Sequence, residues 1–132
     1  MNDEILLLVK YRLEQADDCL KEALLLQKEG MNNRAILNRL YYALFYSVLA
    51  LLQTKQMGTS KHSGAIALFD KEFIKTNVFD KSMSKILHRV FELRQKGDYV
   101  EYADILDEDV LELFPQVENF VNSVKRYLFT GQ

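Results

Sequence analysis

Apolar positions recur along this chain at steps of three and four, and no alternating strand pattern appears. The pattern is helical throughout. Leu6, Val9, Leu13, Ala16, Leu20 and Ala23 lay one apolar stripe along a helix predicted from about Asp3 to Lys28. Gly30 then stands where a helix commonly ends on a left-handed residue. A second helix is predicted from about Asn32 to Gln56. Its middle, Leu40 to Leu52, is apolar on nearly every side, which places it at the centre of a bundle or under a second subunit. Gly58-Thr59-Ser60 breaks the pattern and offers Thr59 or Ser60 as an N-cap. A shorter helix follows over about Lys61 to Thr76, with Ile66, Phe69, Phe73 and Ile74 inward and Asn77 as terminator. Asp80 or Ser82 opens a fourth helix that is predicted to stop at Lys96-Gly97. Residues 97–106 read as a tethered loop. Asp107 caps a fifth helix to about Phe129, whose interior Pro115 either kinks it or marks a later start near Phe114. The fold class expected is all-α: an up-and-down bundle of four long helices and one short one, forming a single domain over residues 1–132.

One position breaks the stripe of the fourth helix. Met83, Leu87, Val90 and Arg94 fall on one line, the first three apolar and the fourth a charge. Lys81, Lys85, Arg89 and Lys96 occupy the opposite side, where water serves them. Arg94 on the core line must meet an anion or open onto a cavity. Asp98, Tyr99 and Tyr102 follow closely. Two readings stay open. Arg94 pairs with Asp98 and pins the loop, or it binds a phosphate while Tyr99 or Tyr102 stacks or donates a hydrogen bond.

Asn38, Arg39, Tyr42 and Tyr46 form a second group, on one sector of the second helix. Amid so much leucine they mark a polar pocket or a wet interface, or phenols satisfied at the core rim. Lys61-His62-Ser63-Gly64 is the third group. The two histidines, His62 and His88, have no metal-ligand spacing, so no metal and no cofactor is expected.

Bulk properties narrow the setting. Hydrophobic residues at 48% with charged residues at 27% suit a soluble domain. A single cysteine, Cys19, precludes an intrachain disulfide and reads as a small buried hydrophobe. The apolar run of the second helix is too short for a bilayer span and carries tyrosines. With no secretory signal pattern, the expected location is cytoplasmic, without a membrane partner. A net charge of −2 argues against a general nucleic-acid coat. The charge is unevenly placed, however. Residues 55–96 carry nine Lys/Arg against four Asp/Glu, and residues 97–120 carry eight acids and no base. Either a basic and an acidic surface coexist, or the two segments neutralise each other in the fold.

Three runs together resemble a known family. Asn38-Arg39-Leu40-Tyr41-Tyr42-Ala43-Leu44-Phe45, then Lys61-His62-Ser63-Gly64-Ala65-Ile66-Ala67-Leu68-Phe69, then Arg94-Gln95-Lys96-Gly97-Asp98-Tyr99, are similar to the HEPN domains of prokaryotes. The resembling branch comprises small HEPN proteins often paired with minimal nucleotidyltransferases. The likeness implies a helical bundle, a homodimer with a cleft between protomers, and a toxin–antitoxin-like pairing. Active members of the family are metal-independent endoribonucleases with an Arg, a polar neighbour and a His a few residues further on. The resemblance therefore puts Arg94 on the scissile phosphate and Gln95 beside it. The position of the His is held by Tyr99, five residues after Arg94, and no His follows His88. A phenol with a pKa of about 10 is a poor base at neutral pH. The expectation is an RNA- or nucleotide-binding module with weak or no catalysis. The alternatives are a ribonuclease toxin using Arg94 with His62 or a tyrosine, and a structural helical adaptor. In some such pairs the nucleotidyltransferase silences the HEPN protein by adding AMP to a tyrosine near the motif, and the resemblance thereby singles out Tyr99 and Tyr102.

Overall fold

A computed structural model describes residues 1–99 and 105–130, with backbone alone at 97–99. The described residues hold five α-helices and no strand: α1 (Asp3–Lys28), α2 (Asn33–Thr54), α3 (His62–Phe69), α4 (Lys81–Tyr99) and α5 (Asp107–Thr130). A π-helical turn, Asp70–Ile74, continues α3.

Each boundary has a local cause. Asn2 and Asn32 cap α1 and α2 by accepting from the amides of Ile5 and Ala35, each at 2.8 Å. Gly30, at φ 68°, turns the chain after α1 in the left-handed conformation that glycine adopts without a Cβ penalty. Only a few residues separate α1 from α2, so the two run antiparallel as the most extensively paired helices of the bundle. Asp80 accepts from the Ser82 amide at 3.0 Å and opens α4. Asn77, at φ 62°, ends the segment before it.

Four boundary expectations are corrected. Lys61, not Thr59 or Ser60, takes the N-cap position of α3, without a side-chain cap bond; Thr59 instead accepts from the Lys61 amide. The helix predicted to run on to Thr76 widens at Asp70 into the π turn, where the Lys75 amide reaches back five residues to the Asp70 carbonyl at 2.9 Å. Gly97 does not stop α4, which continues to Tyr99. A glycine costs a helix interior only about 1 kcal/mol, and no proline follows to forbid the next turn. Asp107 lies inside α5. Asp109 turns back to accept from the Leu106 amide at 3.1 Å, while Asp107 accepts from the Asn33 side chain at 2.7 Å. Pro115 sits within α5, so the later start near Phe114 is excluded.

α2 is the axis of the bundle and touches α1, α3, α4 and α5. Twelve of its side chains are buried, among them Tyr41, Phe45 and Val48, which therefore belong to the protomer's own core and not to a subunit interface. The run Leu40 to Leu52 is too short to span a bilayer, but the whole of α2 is, among the described residues, long and apolar enough by length and composition; two-thirds of its apolar stretch (67%) is buried against the other helices. Its buried Ser47 is satisfied by the Ala43 carbonyl at 2.9 Å. Cys19 is buried on α1 as expected. At the far end of the core Phe69, Phe73, Phe79, Phe120 and Tyr127 form one aromatic cluster, with neighbouring ring centroids 5.3–6.2 Å apart.

The basic segment and the acidic one meet in part. Arg89 of α4 bonds Glu112 at 2.8 Å and approaches Asp109 at 3.7 Å, both on α5. That removes Arg89 from any free basic face.

Candidate functional site

α4 places Arg94 as its stripe demands. Met83, Leu87 and Val90 are buried, and Arg94, further along the same line, emerges half-buried at the end of the core. Its guanidinium carbon lies 4.7 Å from the centre of the Tyr41 ring and 5.3 Å from that of Tyr42. Each ring face attracts the cation. Tyr42 carries a second guanidinium, Arg39, at 5.4 Å. Arg39 is itself steered by Asn38, whose side-chain oxygen accepts at 2.9 Å, and by Glu22 of α1 at 3.3 Å.

Arg94, Arg39 and Arg34 line one open cleft of about 380 Å³, with Asn32 and Asn38 as further polar groups and Leu26, Leu37 and Ile105 as apolar wall. Three arginines lining one concave surface suit an anion with several oxygens, above all a phosphate. The Asn33 side chain fixes one rim by donating to the Ile105 carbonyl at 2.9 Å. The cleft belongs to α2 as much as to α4, which is why Arg34 and Asn32 escape a reading centred on Arg94. A signal for Arg34 does exist: Arg34, Asn38, Tyr42 and Tyr46 repeat at steps of four.

His62 is brought to the same place. Its ring stacks on Phe45 at 4.1 Å and lies 5.7 Å from the Tyr41 ring, the ring that Arg94 covers. Nδ1 of His62 is 2.8 Å from the Tyr41 hydroxyl. Burial, and then the Arg94 charge, push the His62 pKa below its ordinary value. Burial raises that of the Tyr41 phenol far above the neutral range. The phenol therefore keeps its proton and the imidazole is held in its neutral form, the two joined by this hydrogen bond. Removing that hydroxyl in Tyr41→Phe should cost about 1 kcal/mol in urea unfolding, the usual net worth of a hydrogen bond. A loss under 0.3 kcal/mol, by the same principle, would mean that the bond contributes little.

The predicted residues thus divide. Arg94, His62, Arg39, Asn38 and Tyr42 are gathered around Tyr41 and the cleft. Tyr46 lies next along α2, its ring centre 5.7 Å from that of Tyr42. Gln95 is exposed beside Arg94. The Asp98 and Tyr99 side chains, and Tyr102, lie outside the described residues, and so does the proposed Arg94–Asp98 pair. His88 belongs elsewhere: its Nε2 bonds Asp70 at 2.6 Å, and Ser84 donates to the other oxygen of that carboxylate at 2.7 Å, joining α4 to the π turn. Ser84 meets the carboxylate and not the imidazole, so this is no Ser-His-Asp relay. Among the described residues no three His, Cys, Asp or Glu side chains cluster as metal ligands.

Comparison with known proteins bears on the same residues. A family model described as the HEPN domain matches residues 9–127. A UPF0332 protein of Thermotoga maritima is 39% identical over 121 residues, spanning 92% of this chain and 91% of that protein. A Methanocaldococcus jannaschii protein named "Putative toxin MJ0142" is 39% identical over 93 residues, 70% of this chain and 63% of its own length. A second protein of that organism, "Putative toxin MJ0605", is 29% identical over 128 residues, 97% of this chain and 94% of its own.

Proposed function

The chain belongs to the HEPN domain family, and from that membership we propose that it is a toxin-like RNA-binding module whose arginine cleft takes an RNA phosphate. The observation that carries this reading is that Arg34, Arg39 and Arg94 all line one open cleft, in a protein whose overall charge is negative. A guanidinium fork matches a phosphodiester and is always charged. The toxin names of two relatives favour the same direction.

The chemistry of His62 favours binding over cleavage. A general base for 2′-OH attack needs a free lone pair and a pKa near neutrality. In His62, Nδ1 is engaged by the Tyr41 hydroxyl at 2.8 Å, and burial with the Arg94 charge pushes the pKa down. The second reading, a metal-independent ribonuclease, rests on one fact: Arg94 and His62 share the Tyr41 ring. Incubation with total RNA in EDTA separates the two. Cleavage that disappears in both Arg94→Met and His62→Ala would install the enzyme; intact RNA supports the binding module.

The binding reading has its own measure. Affinity for a single-stranded oligonucleotide should fall with salt. In Arg34→Gln/Arg39→Gln the log–log slope should shrink by about 1.4, since each lost phosphate contact is worth roughly 0.7. An unchanged slope would take RNA out of the cleft. The reading includes a homodimer, a nucleotidyltransferase partner and a cytoplasmic location. Sedimentation as a monomer at micromolar concentration would remove the homodimer. Co-expression with a nucleotidyltransferase, followed by mass analysis of Tyr99 and Tyr102, tests the pairing.

A further inference from the structure

The arginine–tyrosine pattern does not end at the cleft. Arg12 of α1 lies over Tyr46 at 5.9 Å and beside Tyr11 at 5.8 Å. Its guanidinium is set by Gln15, whose side-chain oxygen accepts at 2.9 Å. Tyr46 is one helical turn beyond Tyr42, about 6 Å along the axis. Across the surface, Arg94 and Arg39 both lie over Tyr42, Tyr42 neighbours Tyr46 at 5.7 Å, and Arg12 joins Tyr46 to Tyr11, so cations and rings are interleaved along one line. Tyr11, at its end, is 53% exposed. A core explanation would cover these rings. Here Tyr42 and Tyr46 stay half-open, and Leu8, one turn before Tyr11 and Arg12 on α1, is 41% exposed.

Cations and rings interleaved along one track suit a single strand. Guanidiniums neutralise successive phosphates, and rings take successive bases by stacking. The spacing of one helical turn exceeds the roughly 3.4 Å rise of stacked bases, so the strand must be splayed, as it is where proteins read unpaired RNA. Resting on the RNA reading above, we propose that Tyr11, Arg12 and Tyr46 form a second nucleotide subsite, next to the Arg94–Arg39 phosphate site, that engages the neighbouring residue of a single-stranded RNA. The cleft would then bind a phosphate alone, and the track would add a base and a second phosphate only for an oligonucleotide.

Titration calorimetry with uridine 5′-monophosphate and with a hexauridylate tests this on the full chain. In Tyr11→Leu and in Arg12→Gln the hexamer should bind roughly five-fold or more weakly, the scale of one lost base stack, while the mononucleotide binds as to wild type. Tyr11→Phe should restore hexamer affinity, because the ring stacks and its hydroxyl does not. Arg94→Met should weaken both ligands. Wild-type hexamer affinity in Tyr11→Leu and Arg12→Gln, with Arg94→Met impaired, would overturn the subsite and leave the RNA reading standing. A wild type that binds neither ligand would overturn both. If Tyr11→Leu and Arg12→Gln lose hexamer affinity and also pass from dimer to monomer in sedimentation, the track belongs to a second copy of the chain, and the subsite is likewise overturned. Tyr11 is surface-exposed, so its variants should melt with the wild type.

Discussion

Phe69→Ala should lower the unfolding free energy by about 3–5 kcal/mol and the melting temperature by roughly 10–20 °C. Phe69 is fully buried where α3 passes into the π turn. Its ring centre lies 5.5 Å from Phe120, 6.1 Å from Phe73 and 6.2 Å from Phe79. The truncation removes the transfer energy of the ring and leaves a void lined by three other rings, which cannot collapse without turning off their edge and stacked contacts. A domain with roughly 5–15 kcal/mol in hand loses a large part of it. The chain has no tryptophan, so far-UV circular dichroism in urea is the suitable probe. Phe129→Ala is the control. That ring is 49% exposed, and its loss should stay within about 0.5 kcal/mol. Equal losses in the two variants would mean that the aromatic cluster does not anchor the fold.

The helices were legible in the sequence because their signals are local. The α1 stripe, the Gly30 turn, the all-round apolar α2 and the Asp80 start each depend on residues within a few positions. The misses have a different origin. Nothing in Asp70-Lys71-Glu72-Phe73-Ile74 announces an i+5 hydrogen bond; the π turn is set by tertiary packing that brings Phe69 and Phe73 into the cluster and points Asp70 at Ser84 and His88. Gly97 looked like a stop because its small local penalty was read as decisive. In the candidate site, Arg94 was visible because a charge on an apolar line is an internal contradiction. Its company was not. That His62 shares a ring with Arg94, and that Arg34 and Arg12 extend the row of arginines, depends on how α1, α2, α3 and α4 lie against one another. Helical phase fixes which face a residue occupies, and only packing fixes what that face meets.

Arg94→Met should weaken binding of single-stranded RNA by roughly ten- to hundred-fold, as befits the loss of one charge-assisted hydrogen-bond set worth about 1.5–3 kcal/mol. The fold should survive. The variant gives up the attraction of a cation to two rings, up to about 2 kcal/mol, and a methionine in the same space regains part of it through its own contacts with Tyr41 and Tyr42. The same variant reports on His62. Burial first and the Arg94 charge second hold the His62 pKa down. The unfolded chain therefore binds a proton more readily than the folded one, and His62 removes stability as pH falls from about 6.5 towards the folded pKa; above that window it contributes no pH dependence. With the charge gone, the folded pKa should rise towards its ordinary value and the acid loss of stability should shrink. Imidazole proton shifts across pH 4–8, read by NMR on both proteins, follow the group directly. A His62 pKa that stays put in Arg94→Met would mean that the two residues do not communicate through the Tyr41 ring. If RNA affinity also stayed at the wild-type level, Arg94 would be no part of the site, and the cleft would have to hold its phosphate through Arg34 and Arg39 alone.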